Sequence, residues 1–168
     1  MDTLIYRKAT ALDAAAIREL SLASYNQFAT VLSPEHWEKM RQGLSDDVGL
    51  QQLMDSATTF VCDTGSELVG VVFLVPSGNP TPIYPADWAY IRRLGVHPAF
   101  RGRAIARRLM EVCIKEARLG AERILGLHTS TIMPDAQHLY ERLGFLQVKE
   151  LAPLSGQQYW LYRLDLRP

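Results

Sequence analysis

The residues from Arg101 to Ala106 lie where a predicted strand meets a long predicted helix. The first turn of a helix carries unpaired N–H groups and the positive end of the helix dipole, so it favours an anion. Gly102, Ala104 and Ala106 have small side chains, which let an anion approach the backbone. Arg101 and Arg103 add positive charge. The pattern predicts a pyrophosphate site, and packing of the helix against a strand is the alternative reason for the small residues.

This stretch resembles the acyl-CoA-binding signature of the GNAT superfamily of N-acetyltransferases, usually Arg/Gln-x-x-Gly-x-Gly/Ala after a strand ending in Val-x-Pro. The matching residues here are Arg101-Gly102-Arg103-Ala104-Ile105-Ala106, after Val96-His97-Pro98. Residues 136–145 resemble the fourth-helix motif of the same family, and residues 7–13 resemble its usual start. The motifs stand in the family's order and spacing, so the chain is identified by resemblance as GNAT-like over nearly its whole length.

Two positions depart from the family's pattern. Ala104 stands where glycine is usual, and Met133 stands where the family often has an asparagine that can hydrogen-bond the cofactor. The resemblance implies that acetyl-CoA, or a close acyl relative, is the donor substrate and that no metal takes part.

The resemblance also implies a mechanism in which an amine attacks the thioester carbonyl directly, with no covalent enzyme intermediate. The strand that ends at Leu94, Gly95 and Val96 is then expected to offer backbone groups to the pantetheine arm and the carbonyl. Tyr140 matches the family tyrosine that protonates or hydrogen-bonds the departing thiolate. The alternative for Tyr140 is a packing role on the inner face of its helix.

The residue that removes the proton of the amine stays open at this point. A lysine-like amine has a pKa near 10.4, so it must lose a proton before it attacks. On the predicted strand, Tyr90 and Arg92 share one face and Arg93 lies on the other. The two arginines favour an acceptor that carries an anion, or an internal ion pair. The candidates for the base are Asp87, Tyr90, His128 and a chain of water molecules.

The elements that must position these residues follow from hydrophobic periodicity and from turn signals. The strands are predicted at 4–9, 58–63, 68–75, 90–96, 123–129, 145–149 and 158–166, and helices at 11–25, 34–40, 105–119 and 135–143, with a turn or two at 48–55. A proline-rich loop at 76–88 is predicted to shape the acceptor pocket. The order predicts an α/β fold of the α+β type: one GNAT-like domain over residues 1–168, with a twisted, mixed and mostly antiparallel sheet of about seven strands flanked by helices.

Composition argues against two classes of partner. The 18 basic residues balance 18 acidic ones, which argues against a nucleic acid or an anionic membrane as partner, although the arginines near residue 101 keep nucleic-acid binding as a weak alternative. Cys62 and Cys113 lie in apolar runs without metal-ligand spacing. With no signal-peptide pattern or membrane-length apolar run, we expect a cytoplasmic protein. The expected acceptor is a small-molecule or peptide amine. Edge pairing of the last strands predicts a possible homodimer. The alternative function is an acyl-CoA sensor without turnover.

Overall fold

A seven-stranded sheet forms the centre of the computed structural model, which describes residues 3–130, 134–154 and 156–167. The strand order is β1-β2-β3-β4-β5-β7-β6, and every neighbouring pair is antiparallel except β4 and β5, which are parallel. The strands are β1 Ile5–Lys8, β2 Thr58–Asp63, β3 Leu68–Val75, β4 Ala89–Val96, β5 Ile124–Ser130, β6 Leu146–Leu154 and β7 Gln157–Asp165. The helices are α1 Ala14–Tyr25, α2 Pro34–Ser45, α3 Asp47–Ser56, α4 Ile105–Leu119 and α5 Pro134–Arg142.

Helices cover both faces of the sheet. Apolar residues of α1 and α3 bury one face, and α2 packs against α1. Apolar residues of α4, together with Tyr140 of α5, bury the other face. This arrangement confirms the predicted fold of a mixed, mostly antiparallel sheet between helices. It also separates the molecule into an α1–α3 side and an α4–α5 side, which matters for the site.

The opening motif has a structural role. The guanidinium of Arg7 donates to both carboxylate oxygens of Asp13, over 2.9 and 3.0 Å, and also to Asp63 over 3.1 Å. Asp13 in turn accepts from the Thr10 N–H, in a capping box at the start of the α1 region. The hydrogen bonds from Arg7 hold the pKa of Asp13 down at about 2. The motif therefore fixes the entry to α1 relative to β1 and β2.

Helix α4 sits very close to the sheet. A Cβ atom added at Gly70 of β3 would lie 2.7 Å from the Ile105 side chain and 2.9 Å from that of Leu109. The buried stripe of α4 follows the predicted helical spacing, and the helix ends at Gly120 as predicted. The close contact at Gly70 fixes the N-terminus of α4 beside the end of β4.

The proline-rich loop at 76–88 is irregular, as predicted, but it is anchored in the core. Tyr84 is 2% exposed and Trp88 is 8% exposed. Both rings press against the backbone of β5 at Gly126, where an added Cβ would lie 2.8 Å from Trp88 and 3.1 Å from Tyr84. The loop thus carries aromatic residues into the α1–α3 side of the sheet, and removing part of it would remove core.

The last two strands differ from the prediction. They pair from Leu146↔Arg163 to Leu154↔Gln157, so β6 extends through the residues that the pattern left as a loop. Strand β6 is the edge of the sheet and is exposed on both faces, and the apolar alternation of Leu146 and Val148 stops at Glu150, so the pattern does not mark the full length of the strand. The homodimer expected at this edge stays a prediction. Both cysteines are buried free thiols, and none of the helices within the described ranges is long and apolar enough to cross a membrane.

Candidate active site

Strands β4 and β5 separate after a short parallel ladder. They pair at Ala89↔Leu125 and Tyr90↔Gly126, and the described residues beyond these positions are not paired between the two strands. The register of β4 against β3 shifts at the same place, because Val72 alone stands opposite both Arg93 and Leu94. Arg93 has a φ of 52°, in the left-handed region. A bulge of this kind bends its strand, and here it accompanies the opening of a cleft of about 740 Å³ between β4 and β5.

The loop before α4 forms one end of this cleft. Gly102 has a φ of 81° and Ala104 a φ of 60°, so the chain turns sharply before the helix begins. Across the described part of the chain, the backbone N–H groups of residues 102–107 have no hydrogen-bond acceptor. Unpaired N–H groups on a turn and a first helical turn form a concave site for an anion. The geometry therefore supports the predicted phosphate-binding loop.

Ala104 is the N-cap of α4, not a residue of the helix, and no side-chain cap assists it. A left-handed conformation costs an L-residue other than glycine about 1–2 kcal/mol, which accounts for glycine at this position in the family signature. We expected the departure at Ala104 to matter through side-chain bulk. The structure shows that it also matters through backbone strain.

The two arginines of the signature make contacts within the protein. The Arg101 guanidinium donates to the Ser24 carbonyl over 2.9 Å and to Gln27 Oε1 over 3.1 Å, which ties the loop to the end of α1. The Arg103 guanidinium lies 4.8 Å from the centroid of the Phe100 ring. Arg101 lines the cleft, whereas Arg103 is not part of its lining among the described residues.

The end of β4 is held by the last turn of α1. The Tyr25 hydroxyl donates to the Leu94 carbonyl over 3.3 Å, and the Val96 N–H donates to Ser24 Oγ over 3.2 Å. The single N–H of Val96 therefore has a partner in the protein, while the Leu94 carbonyl keeps a second lone pair. The predicted cofactor residues that line the same cleft are Leu94, Gly95, Val96, Arg101, Gly102, Ala104, Ile105 and Ala106.

Tyr140 lies in the wall of this cleft opposite β4. It is buried, and its ring meets Phe145 edge-on with 6.0 Å between centroids. Its hydroxyl has no hydrogen-bond partner in the ranges that the structure describes, although other buried tyrosines such as Tyr90 have one. Burial raises the pKa of Tyr140 well above its usual range, and Tyr25 adds to the effect. Tyr140 is therefore a neutral donor that faces the cleft.

His128 of β5 is the candidate base that the structure places in the cleft. Its Nδ1 atom shares a hydrogen bond of 2.6 Å with the Tyr84 hydroxyl, and Tyr84 stacks on Tyr90 at 4.2 Å between centroids. Burial lowers the pKa of His128 to about 4, and the charge of Arg92 lowers it further in the same direction. The imidazole is therefore neutral at pH 7.

The other candidate bases are placed less favourably. Asp87 is exposed and is not among the described residues that line the cleft. The Tyr90 hydroxyl donates to the Asn79 carbonyl over 3.1 Å. Sequence reasoning missed Tyr84, because nothing in the local pattern of the proline-rich loop points to a partner 44 residues away. Met133, the second departure from the signature, lies outside the described residues.

Comparison with known proteins agrees with this geometry. The model of the acetyltransferase (GNAT) family matches residues 15–145. The chain belongs to the GNAT acetyltransferase family. A curated acetyltransferase of Agrobacterium fabrum is 39% identical over 71 residues, which are 42% of this chain and 50% of that relative. The chain thus covers about half the length of this curated relative.

Solved structures share the whole fold. The PaiA N-acetyltransferase of Thermoplasma acidophilum, in complex with coenzyme A, superposes with a TM-score of 0.78 at 16% identity, covering 97% of this chain and 99% of that one. YncA of Salmonella typhimurium, determined with its cofactor acetyl-CoA, superposes with a TM-score of 0.74 at 19% identity, covering 98% and 94%. At these identities the likeness establishes the GNAT fold alone.

The GNAT match spans the parts that build the cleft. Residues 15–145 include the end of α1, the bulged strand β4, the N–H loop before α4, and α5 with Tyr140. The edge hairpin of β6 and β7 lies outside the matched span. The site thus lies within the part of the chain that matches the family.

Proposed function

We propose that this GNAT protein transfers an acetyl group from acetyl-CoA to a primary amine. The observation that carries the proposal is a cleft between two diverging strands that ends at a row of unpaired backbone N–H groups, at residues 102–107. The pyrophosphate of the donor binds these N–H groups, and the pantetheine arm runs along β4 toward Tyr140. The approach to these N–H groups is open, since a Cβ atom added at Gly102 would meet no atom within 4 Å.

Direct attack of the amine forms the C–N bond, and the C–S bond of the thioester then breaks to release the CoA thiolate. Tyr140 assists this departure as a hydrogen-bond donor. Its pKa is raised above the usual range, whereas a thiol titrates near 8.5, so full transfer of the tyrosine proton to the thiolate would be uphill. The hydroxyl therefore stabilises the developing charge on sulfur and keeps its proton.

His128 removes the proton of the amine in this proposal. The role requires that Nδ1–H donates to the Tyr84 oxygen, which leaves Nε2 with a lone pair toward the cleft. Tyr84 would then act as a positioning residue that selects the productive tautomer. A low pKa limits His128 as a base, so the role depends on substrate binding to make the protonated form less costly.

The experiment is a pair of measurements on the full chain. Acetyl-CoA at about 100 times its Kd should stabilise the fold by roughly 2.7 kcal/mol, which corresponds to a rise in Tm of roughly 5–10 °C. Thiol release from acetyl-CoA is then followed with a broad panel of amines. A Tm rise without thiol release from any amine would favour the sensor alternative, and the absence of both would overturn the proposal.

A further inference from the structure

Arg92 and Arg93 stand side by side at the bulge of β4. Arg92 pairs with Phe73, whose side chain belongs to the core on the α1–α3 side, so Arg92 lies on that side as well. The sequence predicted Arg93 on the opposite face. The bulge breaks that alternation, and the Arg93 guanidinium lies within electrostatic reach of Tyr25 in α1 and of Asp46 at the start of α3. The two positive charges therefore gather on one side of the sheet.

In the part of the chain that the structure describes, no hydrogen bond or ion pair involves the side chain of Arg92 or Arg93. Asp46 is the carboxylate whose charge acts on Arg93. Its Oδ1 atom accepts a hydrogen bond from the Val48 N–H and so caps α3. By contrast, ion pairs with carboxylates occupy the arginines at 7, 18, 41, 107 and 163.

The environment of Arg93 makes the missing partner costly. Arg93 is half-buried and lines the cleft. Burial lowers its pKa, and the charge of Arg92 lowers it further. A partly desolvated cation beside a like charge gains from an anion that satisfies both. A planar guanidinium fork matches the two oxygens of a carboxylate.

We propose that Arg92 and Arg93 bind a carboxylate on the acceptor, so that the acceptor is an amino acid or a similar small amine that carries a carboxylate. This inference rests on the proposed function. The donor's phosphates have a separate site at the N–H groups of residues 102–107, at the start of α4.

Arg93 lines the cleft that His128 also lines, and Arg92 is exposed on the α1–α3 side of the sheet. Arg92 shares a face of β4 with Tyr90, on which Tyr84 stacks, and Tyr84 in turn contacts His128. In keeping with this placement, the charge of Arg92 lowers the pKa of His128. A carboxylate held by the arginines keeps the amine of the same small molecule close to His128. Its negative charge also offsets that of Arg92 and so weakens one of the two causes that hold the pKa of His128 low. Acceptor binding and base strength are therefore coupled.

The test uses matched trios of amines with the full chain and acetyl-CoA. Each trio holds an L-amino acid, its amide and the corresponding decarboxylated amine. We expect kcat/KM to favour the amino acid in the wild type. In Arg92→Gln and Arg93→Gln this preference should fall by roughly tenfold to a hundredfold, while the KM for acetyl-CoA stays the same. Arg123→Gln, at an exposed position before β5, is the control that should keep the preference.

Binding provides a second readout that does not depend on turnover. Calorimetric titration of the same trios into wild-type protein loaded with CoA should detect binding of the amino acids. This binding should be lost in Arg92→Gln and Arg93→Gln. Selective binding without any thiol release would support the carboxylate site and overturn the proposed function. Thiol release with equal kcat/KM across a trio would keep the proposed function and overturn the carboxylate site. Loss of the preference in Arg123→Gln as well would also overturn the carboxylate site.

Discussion

The Tyr84 hydroxyl and the Nδ1 atom of His128 lie 2.6 Å apart, although 44 residues separate them along the chain. Tyr84 comes from the proline-rich loop, and its stacking on Tyr90 fixes the ring. His128 follows the point where β5 parts from β4. The loop therefore does more than connect two strands, because it engages one ring nitrogen of His128.

The partial burial of His128 predicts a pH dependence of stability. Its pKa is 6.5 in the unfolded chain and about 4 in the folded one. Between these values the unfolded chain binds a proton here that the folded chain does not, so the free energy of unfolding falls as the pH is lowered from 6.5 to 4. The loss is at most on the order of 3 kcal/mol, because the residue is partly exposed.

We expect His128→Gln to flatten this fall when Tm is recorded between pH 7 and pH 4. His138→Gln, at an exposed position of α5, should leave the fall as it is in the wild type. The carboxylate of Asp13, with a pKa of about 2 in the folded chain, begins to lose its stabilising contribution below about pH 5, where the unfolded carboxylate takes up a proton. The difference between the wild type and His128→Gln therefore isolates His128. An unchanged pH profile in His128→Gln would contradict a His128 whose pKa is lowered by folding.

The phosphate-binding loop predicts the effect of a charge at Gly102. Gly102→Glu should remove acetyl-CoA binding, because the side chain enters the open approach to the N–H groups and repels phosphate. Gly65→Glu is a matched control, since Gly65 also has a positive φ and open space around it but lies in the turn between β2 and β3. Both variants bear similar backbone strain. The Tm rise with acetyl-CoA should vanish in the first and persist in the second, and equal persistence would show that the loop does not hold the phosphates.

Ala104 predicts a gain in stability. Inside a helix, Ala104→Gly would cost helix propensity, but Ala104 is a left-handed cap and not a helical residue. Glycine relieves that strain, which stabilises the folded chain, but it also raises the entropy of the unfolded chain, which opposes folding. We expect the first effect to be larger, with a net gain of up to about 1 kcal/mol in the free energy of unfolding. Ala121, with a φ of 59°, provides the control. Denaturant titration should give a similar gain for Ala121→Gly, and a loss in Ala104→Gly would contradict the left-handed cap.

The proposed role of Tyr140 predicts a loss of rate without a loss of fold. Tyr140→Phe keeps the edge contact with Phe145 and removes a hydroxyl that has no partner among the described residues. We expect kcat to fall by roughly a hundredfold and the KM for acetyl-CoA and the Tm to change little. Tyr162→Phe is the control, because the Tyr162 hydroxyl donates to Gln147 on the edge hairpin. A wild-type kcat in Tyr140→Phe would show that Tyr140 is only a packing residue.

Local patterns predicted much of the fold. The apolar stripe of α4 from Ile105, its end at Gly120 and the strand before it follow from periodicity and capping residues, which depend on neighbours a few positions away. The same local reasoning predicted an anion site at residues 101–106, because a helix start with small side chains offers unpaired N–H groups wherever it occurs. The resemblance to the family then predicted acetyl-CoA as the donor and a catalytic role for Tyr140.

Tertiary structure decided the contacts on which the proposed acceptor site rests. Strict alternation placed Arg92 and Arg93 on opposite faces, but the bulge against Val72 depends on how β3 and β4 pair. The contact of Tyr84 with His128 depends on how a loop folds over β5, and the left-handed cap at Ala104 depends on how α4 is fixed against Gly70. Periodicity reports which side of an element is buried. It carries no information on register shifts or on contacts between residues far apart in the chain, and those contacts define what the cleft can bind.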